Sequence, residues 1–321
     1  MNDDVYENDN DNNKNNNKIR LVVTMTTLPG REDIIIPTIN SIINQTLKPD
    51  IIYLTLPSES RRLKLKYGPM PNIVVEHCSI IHVDVDYGPV TKLYGGLMFE
   101  NVPDTIIISC DDDVIYPSDT FELLYQKSLI YPDSCICGSG MLIKWGIYGS
   151  STFVNMNKST KWNSVLGTTP PMDGRNVDLI FGVVGVLYKR RFFGSHDECM
   201  RRLFQFSLSD NDILCNDDVL ISGYLCLKGI KRRVFPDLPV VTQIESEGQH
   251  PEVALSMDAG VTSRFNRAIN KIHDAGYFVE YEPVYITETA AGNIVVQVVF
   301  VLLAIILLIM IIYAIHKVFT Y

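Results

Sequence analysis

Three consecutive carboxylates, Asp111, Asp112 and Asp113, are the residues whose type and spacing most favour chemistry in this chain. They follow residues 106–108, a β-branched run typical of a strand buried on both faces. Ligand sites in open α/β sheets lie at the carboxyl ends of strands. Adjacent like charges raise each other's pKa, and a divalent cation relieves that repulsion. We therefore expect Mg²⁺ or Mn²⁺ to lie between the triplet and a diphosphate, with a solvated acidic turn as the alternative.

The segments that precede the triplet are predicted to alternate between strand and helix, as in a parallel α/β sheet. Apolar residues in the helical segment are spaced to form one face. The predicted order is strand 19–25, helix 34–45, strand 51–56, short extended runs at 73–75 and 80–83, a turn at 86–92, a helix to about residue 100, and the strand that ends at the triplet.

A second acidic stretch and a glycine-containing apolar run stand out in the second half of the chain. Asp217 and Asp218 open a helix predicted to extend to about residue 228. Carboxylates in a first turn are favoured by the helix dipole, so a capping role is one interpretation. Residues 177–188 form an apolar run with internal glycines. Such glycines permit close approach of the backbone to a ligand, and a tightly packed buried strand is the alternative.

Composition limits the classes of function. The chain has 321 residues and a net charge of −9, without a basic stripe, which argues against a nucleic-acid partner. Its seven cysteines are odd in number and lack paired C-x-x-C spacing, which favours reduced thiols in a cytosolic compartment.

The two ends of the chain differ from its centre. Residues 1–18 are rich in Asn and Asp and are expected to be disordered, with no leader-like apolar run. Residues 294–315 are almost entirely apolar. At about 1.5 Å per residue they are long enough for a bilayer core of about 30 Å. We expect a single-pass C-terminal membrane anchor, with a catalytic domain over residues 19–290 that faces the cytosol.

Four motifs in combination resemble the nucleotide-sugar-dependent glycosyltransferases of the GT-A fold, and the similarity is to family-2-like microbial and viral members. The resemblance covers about residues 19–250 and implies a mixed, mostly parallel sheet flanked by helices. It also implies a nucleotide-binding half at about 19–118 and an acceptor half at about 119–290. The motifs are TMTTLPGR at 24–31, INQTLKPDIIYLTLP at 43–57, DYGPVTKL at 86–93 and IIISCDDDVIYP at 106–117.

The resemblance implies roles for individual residues. The loop after the first strand lies near the base and ribose, a helix N-terminus with a nearby lysine suits a diphosphate, and a glycine lies beneath the donor sugar. The implied donor-binding residues are Thr26, Arg31, Asp86, Lys92, Asp112 and Gly185. The implied metal ligands are Asp111, Asp113 and His250.

The function implied is a metal-dependent glycosyltransferase that moves a sugar from a nucleotide diphosphate sugar to an acceptor hydroxyl. Inversion needs a carboxylate base, for which Asp218 is preferred over Asp217. Glycan, protein and lipid acceptors all remain open. One alternative is a phosphatase or phosphotransferase with Asp111 as nucleophile. Another is a non-catalytic, tail-anchored assembly protein.

Overall fold

The computed structural model describes residues 19–143, 154–155, 174–235, 237–244 and 261–279. The predicted disordered segment 1–18, the predicted membrane span 294–315 and His250 lie outside these residues. Within the described part of the chain, no helix combines the length and the apolar character needed to cross a membrane.

An eight-stranded mixed sheet forms the centre of the fold, with spatial order β3-β2-β1-β4-β11-β6-β12-β9. Strands β1 to β4 pair in parallel, β11 is antiparallel to both of its neighbours, and β12 is parallel to β6. The α/β class, with a mixed sheet and flanking helices, is thus confirmed. The eight strands are β1 (Leu21–Thr26), β2 (Ile51–Pro57), β3 (Ser79–Val83), β4 (Ile106–Ser109), β6 (Ser134–Cys137), β9 (Arg175–Asn176), β11 (Val186–Lys189) and β12 (Lys231–Val234).

Two small sheets and a set of helices surround this central sheet. A three-stranded sheet consists of β7 (Gly140–Leu142), β8 (Val154–Asn155) and β10 (Leu179–Ile180), and a two-stranded sheet consists of β5 (Val114–Ile115) and β13 (Thr242–Gln243). The α-helices are α1 (Ile35–Ile43), α2 (Asn72–His77), α3 (Tyr94–Phe99), α4 (Thr120–Ile130), α5 (His196–Cys199), α6 (Asn211–Leu214), α7 (Asp217–Leu227) and α8 (Val261–Asp274), and a 3₁₀ helix (Gly88–Leu93) precedes α3.

Strand β4 lies at the centre of the sheet and is buried on both faces, as its β-branched run predicted. Ile107 packs into the hydrophobic cluster on one face, whereas Ile106 and Ile108 pack into the cluster on the other. None of the three side chains exposes more than 2% of its surface. Because β4 is fixed on both faces and by neighbours on both edges, the acidic triplet at its end leaves the sheet from a rigid base.

One predicted extended segment, 73–75, and the buried-strand alternative for 177–188 differ from the structure. Residues 73–75 were expected to be extended, but they lie in α2, where only Val74 is buried and Val75 is largely exposed. A strand in the sheet would bury every second side chain or all of them. Burial of Val74 alone is instead the pattern of a short helix that touches the core at one position. For residues 177–188 the alternative of one buried strand is wrong: β10, a 3₁₀ turn (Gly182–Val184) and β11 follow one another, and Gly185, with a φ of +81°, separates the turn from β11.

Gly95→Ala is expected to lower the free energy of unfolding by about 1–3 kcal/mol, the usual cost of overpacking a core. A Cβ at this position of α3 would collide with Tyr53 on β2, because it would lie only 2.8 Å from the ring carbon Cγ. Denaturant unfolding measures the loss. Gly68→Ala is the matched control, since its Cβ would lie at an ordinary 3.5 Å from Glu32 Oε1. Equal losses in the two variants would contradict the packing argument.

Candidate active site

A cavity of about 470 Å³ opens at the carboxyl ends of β1 and β4. The strand order β3-β2-β1-β4 reverses direction between these two strands, and such a reversal leaves a crevice where open α/β sheets bind ligands. Nine of the eleven residues singled out in the sequence line this cavity. They are Thr26, Arg31, Asp86, Lys92, Asp111, Asp112, Asp113, Asp217 and Asp218.

The central carboxylate of the triplet, Asp112, is turned towards the loop that follows β1. It accepts hydrogen bonds from Thr27 Oγ1 at 2.5 Å and from Arg31 Nη1 at 2.9 Å. Its backbone carbonyl accepts a hydrogen bond from Thr38 Oγ1 on α1 at 2.9 Å. Asp112 therefore fixes the β1–α1 loop against β4. Its carboxylate oxygens already have partners in the protein, whereas the resemblance implied that Asp112 binds the donor.

Lys92 joins the two acidic stretches of the sequence. Its Nζ lies 2.5 Å from Asp111 Oδ1 and 2.9 Å from Asp217 Oδ2, and its side chain is only 9% exposed. Burial by itself lowers the pKa of a lysine, but the carboxylates of Asp111 and Asp217 outweigh it and raise the pKa of Lys92 well above its ordinary value. The ammonium is therefore permanently charged and bridges β4 and α7.

Asp218 lies beside this bridge in the first turn of α7. Its Oδ1 accepts a hydrogen bond from the backbone N–H of Gly182 at 3.1 Å. Desolvation, followed by the negative charge of Asp217, raises its pKa well above the usual range, while Lys92 acts in the opposite direction. A carboxyl group with a raised pKa accepts a proton more readily than an ordinary aspartate does, as general-base catalysis requires.

Asp113 faces the cavity at the other end of the triplet. Desolvation, followed by the neighbouring charge of Asp112, raises its pKa to about 6. Arg31 Nη1 opposes this shift from 3.4 Å, a distance too long for a strong ion pair. The carboxylate therefore carries negative charge that the protein compensates only in part.

Gly182, rather than Gly185, provides the close approach at the site. A Cβ on Gly182 would lie 3.2 Å from Lys92 Nζ and 3.4 Å from Asp111 Oδ1. Neither glycine is among the residues that line the cavity, and a Cβ on Gly185 would meet Tyr116 at an ordinary 3.5 Å. Position 185 requires glycine because its φ is positive, a backbone conformation that other residues rarely adopt.

Asp86 lines the cavity wall, and its carboxylate binds backbone N–H groups of two other segments. Its carboxylate accepts hydrogen bonds from the N–H groups of Gly88 at 2.8 Å and Arg61 at 2.7 Å. It therefore ties the start of the 3₁₀ helix to the segment that follows β2. This contact places the helix that carries Lys92.

Several lining residues were not singled out in the sequence, because no local pattern distinguishes them. The Tyr67 hydroxyl donates a hydrogen bond to the Thr27 carbonyl at 2.9 Å. Tyr67 therefore forms the part of the cavity wall next to the β1–α1 loop. Burial and the nearby positive charge of Arg31 lower the pKa of Arg62. The additional lining residues with polar or aromatic side chains are Thr27, Arg62, Tyr67, Cys110, Cys215, Asn216, Gln243 and Phe265.

The donor set of the cavity fits a hard divalent cation. Six carboxylates line it against the three cationic side chains Arg31, Arg62 and Lys92. Among the residues that the structure describes, no three His, Cys, Asp or Glu side chains converge to hold a metal by themselves. Mg²⁺ usually takes one or two carboxylates and completes its shell with water and phosphate oxygens. Asp111 and Asp113 suit this role, whereas Asp112 is engaged by Thr27 and Arg31.

Comparison with known proteins gives no family assignment. No family model matches the sequence, and no curated protein is significantly similar to it.

In chelator-containing buffer, Asp113 is expected to lower the free energy of unfolding of the wild type as the pH rises from about 4 to about 6. Asp113→Asn is expected to remove this contribution. The native pKa is about 6 against an ordinary value of 3.8. Within that window the native state binds the proton more tightly, so the free energy of unfolding falls as the pH rises. The contribution is on the order of 2 kcal/mol, given about 1.4 kcal/mol per pKa unit and partial exposure. Denaturant unfolding at each pH measures it.

The control for this experiment is Asp119→Asn, because Asp119 is exposed and makes no side-chain capping bond. Parallel stability profiles for the wild type and Asp113→Asn would show that Asp113 does not titrate in this window.

Proposed function

We propose that this protein is a nucleotide-sugar-dependent glycosyltransferase of the GT-A type, which transfers a sugar to an acceptor hydroxyl with inversion. The observation that carries the proposal is the convergence of two acidic stretches, Asp111–Asp113 and Asp217–Asp218, on one cavity at the reversal point of the sheet. About a hundred residues separate the two stretches along the chain. A transfer of this kind requires a charged donor site and a carboxylate base side by side.

The donor is assigned to the side of the cavity formed by β1, β4 and the loop that follows β1. Thr26 and the loop held by Asp112 line this side, next to the guanidinium groups of Arg31 and Arg62. Arginine forks suit phosphate oxygens. A nucleoside diphosphate lying along the crevice would place its phosphates between these groups and the acidic triplet.

A divalent cation held by Asp111 and Asp113 fits the charge of this side. When bound, such an ion neutralises the negative charge that develops on the departing diphosphate. His250, which the resemblance implied as a further ligand, lies outside the described residues.

Asp218 is assigned as the general base. The acceptor hydroxyl oxygen attacks the anomeric carbon and forms the new glycosidic bond. Asp218 takes the hydroxyl proton, and the bond from the anomeric carbon to the diphosphate oxygen breaks, so the nucleoside diphosphate leaves with the electron pair. The hydrogen bond from the Gly182 N–H orients the carboxylate. Asp217 is engaged by Lys92 instead, which favours Asp218 for the proton transfer.

The acceptor is a glycan, a protein or a lipid. The C-terminal membrane anchor predicted at 294–315 favours acceptors found at a membrane surface. Phe265 of α8 lines the cavity and lies 6.2 Å, centroid to centroid, from the ring of Phe181. Phe265 therefore offers the acceptor an apolar contact in the cavity wall, and Phe181 supports its ring from behind.

One nucleoside diphosphate, together with its sugar conjugate, is expected to raise the thermal unfolding temperature in the presence of Mn²⁺. A ligand that binds only the native state adds about 2.7 kcal/mol at a hundredfold excess over its Kd. Asp113→Asn should lose most of this shift, whereas Asp119→Asn, which alters an exposed residue that does not line the cavity, should keep it. No shift with any nucleotide would overturn the proposed donor site. Release of phosphate from phosphomonoesters would instead favour an Asp111 nucleophile.

Asp218→Asn is expected to lower kcat by about 10²- to 10⁴-fold, the usual contribution of a positioned base. Its donor-induced shift in unfolding temperature should stay within error of the wild type, because Asp218 does not touch the donor in the proposed arrangement. Single-turnover transfer from the nucleotide sugar identified above measures the rate. Equal losses in donor binding and in transfer would assign Asp218 to the donor site instead.

A further inference from the structure

Lys92 occupies the place where a bound cation would be expected to act. Its ammonium lies within 2.9 Å of carboxylates from two distant segments, Asp111 at the end of β4 and Asp217 in the first turn of α7. Its backbone is fixed as well, because Thr24 Oγ1 donates a hydrogen bond to the Lys92 carbonyl. Gly182 offers no side chain that would compete for this space.

We propose that Lys92 is a resident cation that occupies Asp111 in the cation-free protein, and that a divalent ion entering the site must displace it from that carboxylate. This inference rests on the divalent cation of the proposed function. It adds a competitor within the chain that the function itself does not require.

The competition follows from charge and distance. The Lys92 ammonium lies 2.5 Å from Asp111 Oδ1. A divalent ion bound to the same oxygen would therefore lie beside the positive charge of Lys92. Two positive charges held against one carboxylate oxygen repel each other even at an effective dielectric constant of about 20. Lys92 relieves the repulsion by moving towards its second partner, Asp217, at 2.9 Å.

Displacement of this kind couples the two halves of the site. With Asp111 taken by an ion, the positive charge of Lys92 is shared by Asp217 and its neighbour Asp218 alone. The Lys92 ammonium then lies closer to the carboxylates in the first turn of α7, and it does so only when a divalent ion occupies the donor side. Lys92 is therefore a positioning residue that acts through Asp217, and it does not need to touch the substrate.

Titration of the full-length protein with Mn²⁺ alone, followed by the electron paramagnetic resonance signal of the free ion, tests the proposal. Lys92→Met removes the competitor, so it is expected to tighten Mn²⁺ binding on the order of tenfold, the scale on which groups around the ligands usually act. Lys92→Arg keeps the charge and should bind Mn²⁺ as weakly as the wild type. Lys127→Met is the matched control, because Lys127 forms a 2.5 Å ion pair with Asp237 and does not line the cavity.

Thermal unfolding provides the second measurement, since Lys92→Met leaves the acidic cluster without its resident cation. The variant is expected to melt below the wild type in chelator and to recover in Mn²⁺ by more than the wild type gains. Unchanged or weaker Mn²⁺ binding in Lys92→Met overturns the proposal, as does Mn²⁺ binding in Lys92→Arg that is clearly tighter than in the wild type. Because no nucleotide is present, a failure of the proposed donor site leaves these outcomes readable.

Discussion

The ion pairs of Lys92 with Asp111 and Asp217 are the interaction on which the candidate site depends. A buried ammonium is costly unless its partners compensate for the lost water, and two carboxylates supply that compensation here. Breaking such a pair from one side leaves an uncompensated charge, which is more destabilising than the pair is stabilising. The bridge therefore fixes the separation between the end of β4 and the start of α7.

The carboxylates of Asp112, Asp113 and Asp218 stand outside this bridge or beside it, and each has a different environment. Asp112 turns away into the hydrogen bonds of Thr27 and Arg31, so the β1–α1 loop is held firmly. Asp113 and Asp218 are left with raised pKa values because burial and neighbouring charge act on both. Perturbed carboxyl groups that face one cavity are the pattern expected of a site that binds a cation and transfers a proton.

The sheet explains why these groups meet. Strand order reverses between β1 and β4, so the connections that follow these strands diverge and leave a crevice between them. The antiparallel strand β11 pairs with β4 on its other edge, and the turn that precedes β11 brings Gly182 against Asp111 and Lys92. The proposed metal, nucleotide and base would thus share one cavity.

The sequence by itself determined the local features of this protein, and the tertiary structure decided how they combine. Periodicity predicted β1, α1, β2, β4 and α7, because their buried faces are set by neighbouring residues in the chain. It failed at 73–75, which lie in a helix with one buried position, and the alternative of a single strand at 177–188 was wrong because a 3₁₀ turn divides that segment. The types of Asp111, Asp217 and Lys92 indicated chemistry, but Lys92 pairs both with Asp111 and with Asp217, which lies 125 residues further along the chain. No local pattern encodes that second contact.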